Sequence, residues 1–284
     1  MARNLFLVWS YGLFDWRNTS LFLMPTLDWT KLNLEEAIAY FQAKLINVPT
    51  YRWDDIWQEE HDIAFMVAGA MSAELLQDLR NIVEAAITEG MTRQEFRKQF
   101  DQIVARTGWA YNGSRNWRTD VIYGTNLRTA YAAGRYQQQT DPDVIRSRPF
   151  WMWMHGDSRL PRPLHKALHR KVFRYDDPFW QTMYPPCGFG CKCRVVTLSE
   201  RDVNRRNLAV DSAPAVGTTI LVTDPETKRQ TAVKVEADPG FAYVPGQSRK
   251  DQQQQAMSNV LNRLSLGFRT AVQQDLSNRG ITWS

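Results

Sequence analysis

The sequence predicts an α+β protein with a helical N-terminal half, an irregular segment that contains Cys and His, a small antiparallel β element and a C-terminal helix. Apolar residues recur at the three-four spacing of amphipathic helices over residues 61–140 and again near the C-terminus. This periodicity is lost over residues 141–200, and two β-branched runs follow within 218–235. A chain of 284 residues with 43% hydrophobic and 23% charged residues can bury a core, so disorder is excluded for most of it.

Membrane insertion and secretion are not expected from this sequence. The most apolar stretch, residues 5–24, is interrupted by Asp15, Arg17 and Asn18 and is too polar for a membrane-spanning helix. It also lacks the basic start and the cleavage site of a signal peptide. The three cysteines lie within seven residues of one another, which is not a secreted disulfide framework and indicates a reducing cytoplasm.

The N-terminal segment, residues 1–60, is an aromatic-rich arm that leans acidic. It contains too many Trp, Phe and Tyr residues for a free tail, so we expect it to pack on the body of the protein or on another chain. One helix is predicted within residues 34–46, with Asn33 as its N-cap.

Three further helices are predicted in the helical half. The first covers residues 63–87 and stops at Gly90. The second predicted helix begins at a capping box formed by Thr92 and Glu95 and ends at Gly108.

The third predicted helix covers residues 114–139, with Trp117 on its apolar stripe. Gly124 and Gly134 would allow another element to approach it closely. Strands are predicted at 194–198, 218–223 and 230–235, the last two as a hairpin, and a single helix is predicted over 249–278.

The densest chemical cluster in the sequence contains Cys187, Cys191 and Cys193. Zn²⁺ prefers four ligands in a tetrahedron, and Cys thiolate and His imidazole serve best. From spacing alone, the missing ligand could be supplied by His155, His165 or His169. The alternative is a tight turn that holds three reduced, partly buried thiols.

Enzymatic motifs are scarce. His165 and His169 have the spacing of a metalloprotease helix, but the glutamate that would act as general base is absent. The sequence also lacks a phosphate-binding glycine loop and a nucleophile elbow. A zinc-dependent hydrolase or nuclease, with Asp157 or His155 as its base, remains the catalytic alternative.

The middle of the chain concentrates positive charge, although the net charge of the protein is only +5. Between residues 146 and 174, the basic segment, Asp157 is the sole acidic residue. We expect this segment to contact nucleic acid without sequence preference, or else to be an ordinary solvated face. Its interleaved aromatic residues are expected to form a local core. The candidate nucleic-acid-binding residues are Arg146, Arg148, Arg159, Arg162, Lys166, Arg170, Lys171 and Arg174.

Several ordered motifs resemble the phage Mu F-like minor head protein family. The resemblance covers about residues 60–246. Its motifs are residues 61–68 (HDIAFMVA), 124–135 (GTNLRTAYAAGR), 162–165 (RPLH), 176–180 (DDPFW), 185–195 (PPCGFGCKCRV) and 238–246 (DPGFAYVPG).

The resemblance implies a head morphogenesis domain at 61–246, with helices over 61–140 and the Cys/His and β part over 141–246, followed by a helical tail at 247–284. It implies a minor capsid protein of a tailed double-stranded DNA phage, inside the head near the portal, assembled in the host cytoplasm. The implied partners are the portal protein, double-stranded DNA and the major capsid or scaffold protein, with no membrane in the assembled head.

The resemblance also bears on the site. His165, Cys191 and Cys193 occupy family motif positions, whereas Cys187 occupies a more variable one. We therefore expect a structural zinc ion held by His165, Cys187, Cys191 and Cys193, and no enzymatic activity. A host-directed effector carried in the head is a further alternative.

Overall fold

The structure is a computed structural model that describes residues 34–158, 160–223, 228–248 and 250–281. These residues fall within one unit, Asn33–Ser284. The predicted cap Asn33, the rest of the arm before it, Arg159 and the turn at 224–227 lie outside the described residues.

The helical half contains α1 (Glu35–Gln42), α2 (Ala73–Thr88), α3 (Arg93–Thr107) and α4 (Arg115–Gln139). The predicted capping box is confirmed, because Thr92 and Glu95 each accept the backbone N–H of the other. Helix α3 ends at Gly108 in the left-handed conformation, as predicted. Helix α4 confirms the third predicted helix and is capped by Ser114.

The predicted helix over residues 63–87 is wrong at its start, because α2 begins at Ala73. The Ser72 hydroxyl accepts a backbone N–H of the first turn and so caps the helix there. The preceding residues include strand β2 (Ala64–Phe65), which pairs in parallel with β1 (Ile46–Asn47). The buried residues of this extended segment recur at the same spacing as those of the helix that follows. The spacing therefore does not show where the backbone changes from extended to helical.

Apolar side chains from all four helices form one core, to which α2 and α3 contribute Leu79, Phe96 and Phe100. The prediction that Trp117 lies on the buried stripe of α4 is wrong, since its side chain is 55% exposed. Trp117 lies in the first turn of α4, where its ring packs over Gly113 of the preceding loop.

Helix α1 packs closely against α4 at Gly134. A Cβ atom at Gly134 would lie 2.7 Å from the backbone nitrogen of Ala37. This distance is shorter than real side chains tolerate, so only glycine allows the two helix backbones this separation. At Gly124 the nearest atom to such a Cβ is the flexible end of the Arg128 side chain, at 2.9 Å.

The second half of the chain is built around a three-stranded antiparallel sheet, ordered β4 (Val172–Arg174), β3 (Phe150–Met154), β5 (Arg194–Leu198). Strand β5 confirms the prediction at 194–198. Strands β3 and β4 lie in the segment that was expected to be irregular, and the sequence analysis missed them.

The sequence analysis did not predict strand β3 because both faces of the strand are buried. Trp151 and Trp153 point to one face, into an aromatic core shared with Phe173, Phe179 and Trp180. The alternate residues of β3 pack on the other face in a small apolar cluster with Val172, Leu198 and Val203. A strand buried on both faces has a continuous apolar sequence and no polar alternation. The expectation that the aromatic residues of this region form a local core agrees with this packing.

The predicted hairpin is present as β6 (Thr219–Thr223) and β7 (Gln230–Lys234). In the described chain, short helices surround the sheet: α5 (Pro142–Ser147), α6 (Pro163–Ala167), α7 (Trp180–Met183) and α8 (Glu200–Arg205).

The predicted C-terminal helix is divided in two, α9 (Lys250–Arg263) and α10 (Leu266–Asn278). Met257 and Val260 of α9 and Leu276 of α10 pack against Ile46 and Ile56, which belong to the arm. The described part of the arm and the tail therefore share a core. None of the helices in the described ranges is both long and apolar enough to cross a membrane.

Asp62 connects three distant parts of the chain. It lies at the end of a 3₁₀ helix, Gln58–Asp62, and is only 6% exposed. Its carboxylate accepts hydrogen bonds from the Tyr40 hydroxyl at 2.9 Å, the Gly246 N–H at 3.0 Å and the Ser248 hydroxyl at 2.5 Å. These three donors and the nearby charge of buried Lys44 compensate the buried carboxylate, which holds the 243–248 loop against α1.

We predict that Gly134→Ala lowers the free energy of unfolding by about 1–3 kcal/mol, because the new methyl group collides with the α1 backbone. The matched control Gly124→Ala replaces a glycine of the same helix, and it should leave stability unchanged or raise it by up to about 1 kcal/mol through helix propensity. Urea unfolding of both variants measures the difference. Equal effects of the two substitutions would contradict the close packing of α1 on α4.

Candidate metal centre

Three separate elements bring the histidines and cysteines together. His155 follows directly after β3, and His165 lies on α6. Cys191 and Cys193 belong to the cysteine loop, residues 187–193, which leads into β5. Because β3 and β5 are neighbours in the sheet, the end of β3 and the beginning of β5 lie side by side.

The sulfur and nitrogen atoms of this cluster lie within contact distance. His165 Nδ1 is 3.7 Å from the sulfur of Cys191 and 3.7 Å from the sulfur of Cys193. His155 Nδ1 lies 3.4 Å from the sulfur of Cys193. The ligand atoms of His165, Cys191 and Cys193 all lie within 4.8 Å of one another.

The backbone supports this arrangement. A Cβ atom at Gly156 would lie 2.1 Å from the carbonyl oxygen of Lys192, so the cysteine loop crosses the end of β3 at a distance that only glycine permits. His165 is only 3% exposed, and its ring packs edge-on against Trp153 at 5.4 Å.

The two clustered thiols differ in acidity. Hydrogen bonds from Cys193 and His165 lower the pKa of the Cys191 thiol well below its ordinary value. The neighbouring Cys191 sulfur and burial raise the pKa of Cys193. The two shifts are opposite in direction because each sulfur acts on the other.

Cys187 has a different environment. Its side chain is fully buried in the aromatic core and lies outside the group formed by His165, Cys191 and Cys193. Burial raises the pKa of the Cys187 thiol well above its ordinary value. The structure thus brings together three of the four predicted zinc ligands, and neither Cys187 nor His155 belongs to that group of three.

The cysteine loop is also attached to the 238–246 motif. The backbone N–H of Asp238 donates to the carbonyl of Cys187 at 3.0 Å. Arg162 forms an ion pair with Asp238, and its guanidinium donates to the carbonyl of Phe189. Three of the motifs that carry the family resemblance therefore meet at this loop.

The third candidate histidine, His169, is exposed and lies beside the cluster. Its Nδ1 accepts the backbone N–H of His155 at 3.1 Å, so it orients the residue that follows β3. Asp157, the carboxylate considered as a catalytic base, is exposed, and two further nearby carboxylates have partners of their own. Asp176 pairs with Arg174, and Asp177 accepts the backbone N–H of Phe179 at 2.9 Å.

Carboxylates pair with five residues of the basic segment, two from neighbouring positions and three from distant ones. Its candidate nucleic-acid-binding residues lie on α5, α6, β4 and their connections, and Arg159 is outside the described residues. Arg170 is exposed and adopts a positive φ of 65°. Ion pairs join Arg146 to Asp143, Arg148 to Asp202, Arg162 to Asp238, Lys171 to Asp211 and Arg174 to Asp176.

A cavity of about 790 Å³ was not expected from the sequence. Aromatic residues line it, including Trp53, Trp117, Phe189 and Phe241. Arg118 also lines this cavity and is only 8% exposed, with its guanidinium 5.6 Å from the Trp109 ring centroid. The sequence signal for this cavity was a set of aromatic residues scattered through the arm and the cysteine loop. Only the folded structure shows that these residues lie together.

The fold and the cluster define a class of α+β protein in which a cysteine loop is fastened to a sheet and a helical platform. The family model described as "Phage Mu protein F like protein" matches residues 77–196. The chain is 32% identical to "Putative capsid assembly protein F" of Escherichia phage Mu over 275 residues, which cover 87% of this chain and 62% of that protein. It is 35% identical to "Mu-like prophage FluMu F protein" of Haemophilus influenzae, over 67% of this chain and 50% of that protein.

These comparisons confirm the predicted resemblance to the Mu F-like family. It spans about 62% of the length of the phage Mu relative and half that of the Haemophilus influenzae relative. No solved structure matches the chain significantly.

We predict that, in the presence of a chelator, an alkylating reagent modifies Cys193 well before Cys187. Cys193 is partly exposed, whereas Cys187 is fully buried, and alkylation requires that the reagent reach the sulfur. Mass spectrometry of peptides taken during the reaction measures each rate. Modification of Cys187 should follow global unfolding in urea, and equal rates in native protein would contradict the burial of Cys187.

Proposed function

We propose that this protein is a structural component of the head of a tailed double-stranded DNA phage and acts in head morphogenesis. The similarity to the capsid assembly protein of phage Mu, which extends over 87% of this chain, carries the proposal. The family match at 77–196 supports it, because that region contains most of the helical core and the cysteine loop.

The proposed location is the capsid interior near the portal, with assembly in the host cytoplasm. The portal protein and the major capsid or scaffold protein are the proposed partners. The aromatic-rich arm or the C-terminal helices would make the portal contact. In the described part of the arm, Tyr51, Trp53 and Trp57 are 79%, 41% and 37% exposed, and large exposed aromatic side chains are enriched at protein interfaces.

A structural role suits the Cys/His cluster better than a catalytic one. His165 and Cys191 are buried, and a catalytic zinc ion needs an open coordination position that a substrate can reach. Asp176 and Asp177, which lie nearby in sequence, already accept hydrogen bonds from Arg174 and Phe179. The cluster is therefore better suited to fastening the loop than to activating water.

Non-specific contact with double-stranded DNA is the second part of the proposal. Exposed guanidinium groups of the basic segment, such as those of Arg146 and Arg174, support it. Their carboxylate partners lower the net charge of this face, and exposed ion pairs are weak enough to exchange for phosphate. We therefore expect weak binding that disappears at moderate salt.

A nonsense mutation in the gene, placed in the phage or prophage that encodes the chain, should block the formation of complete heads. Mass spectrometry of purified wild-type particles should find the protein in few copies per head. Supplying the intact gene from a plasmid is the control and should restore heads.

Two outcomes would contradict the structural assignment. Normal heads without the protein, together with its presence in the infected cell, would favour a host-directed effector. Cleavage of DNA by the purified protein with a divalent metal, abolished by His155→Ala, would favour a zinc-dependent nuclease.

DNA affinity should fall steeply with salt, because each phosphate contact changes the slope of log K against log salt by about −0.9. Replacing both Arg146 and Arg174 with alanine should therefore make the slope shallower by about 2. The matched control is Arg52→Ala, which removes an exposed arginine that is paired with Asp54 outside the basic segment. Fluorescence anisotropy with random-sequence DNA measures the slopes, and a flat slope for wild type would indicate that the segment faces protein.

A further inference from the structure

The geometry points to a tetrahedral zinc site formed by His155, His165, Cys191 and Cys193, with Cys187 excluded. This set differs from the set expected from the sequence at one position, where His155 replaces Cys187. The inference concerns a site within this chain and does not depend on the proposed role in the phage head.

Interatomic distances support the ligand set. With Zn–S bonds of about 2.3 Å and Zn–N bonds of about 2.0–2.1 Å, tetrahedral geometry separates a ligand sulfur from a ligand nitrogen by about 3.6 Å. The distances from His165 Nδ1 to the sulfurs of Cys191 and Cys193 are both 3.7 Å. The distance from His155 Nδ1 to the Cys193 sulfur is 3.4 Å. These values suit His165, Cys191 and Cys193 around one ion, and His155, which contacts Cys193 but lies outside that group of three, would complete the set when the metal binds.

His155 is the candidate for the fourth position because of its place in the fold. It follows the last residue of β3 and lies beside the start of β5, which follows Cys193. Its backbone N–H donates a hydrogen bond to His169 Nδ1 at 3.1 Å. This ring nitrogen of His169 is therefore already engaged. His155 is only partly buried, whereas His165 is 3% exposed.

Cys187 lies in a different environment from Cys193. The loop that carries Cys193 crosses the end of β3 at Gly156, where a Cβ atom would lie 2.1 Å from the Lys192 carbonyl oxygen. This close crossing places Cys193 beside His155. The side chain of Cys187 packs instead in the aromatic core.

Four protein ligands would close the coordination sphere, which is the pattern of structural zinc. The ion would connect the end of β3, helix α6 and the cysteine loop. These elements otherwise meet through few aliphatic side chains. The free energy of zinc binding would therefore contribute directly to the free energy of folding.

The test is metal analysis of the full chain purified without chelator and of the chain reconstituted with zinc. We expect about one zinc ion per chain. Cobalt substituted for zinc should give the thiolate-to-metal absorption and the intense visible bands of a tetrahedral site. Absence of bound metal after reconstitution, iron in place of zinc, or an octahedral cobalt spectrum would overturn the proposal.

Variants identify the fourth ligand. His155→Ala, Cys191→Ser and Cys193→Ser should each weaken zinc binding at least about 100-fold in competition with a chromogenic chelator. The matched controls are Cys187→Ala and His169→Ala, which remove a neighbouring cysteine and a neighbouring histidine and should retain zinc at the wild-type stoichiometry. Retention of zinc and of the wild-type cobalt spectrum by His155→Ala, or loss of zinc in a folded Cys187→Ala variant, would overturn the assignment. Circular dichroism establishes which variants are folded.

Discussion

The second half of this protein depends on covering strand β3 on both faces. Its residues alternate between an aromatic core on one side and a smaller aliphatic cluster on the other. Large aromatic side chains such as Trp151 and Trp153 each bury about 150–250 Å², and few aliphatic residues are available nearby to do the same. Helices α6 and α7 and the 235–244 segment pack around these rings because the rings would otherwise remain in water.

The position of β3 also determines the Cys/His cluster. The strand ends at Met154, so His155 and Gly156 lie where the cysteine loop enters β5. Polar contacts then attach the loop to the rest of the fold, through Arg162 and Asp238. Asp62 performs a similar task for the helical half, since its carboxylate joins α1 to the loop before α9. Residues far apart in the chain thus meet at two small polar centres beside apolar cores.

The charge distribution looks different once the chain is folded. Along the sequence, the basic segment contains one acidic residue, which suggests a surface built for a polyanion. In the fold, Asp202, Asp211 and Asp238 approach this segment from later elements and pair with its cations. Local net charge along a chain therefore overstates the electrostatic potential of the face that it forms, because partners from elsewhere contribute to the same field.

The sequence by itself determined the features that depend on neighbouring residues. The capping box at Thr92, the end of α3 at Gly108 and the β6–β7 hairpin follow from local hydrogen bonding and backbone preference, and the family follows from the order of its motifs. Only the tertiary structure decided that 150–154 is a strand, that α2 starts at Ala73 and that His155, rather than the Cys187 side chain, approaches Cys193. These outcomes depend on what covers each face and on which distant segments become neighbours, and local spacing does not contain that information.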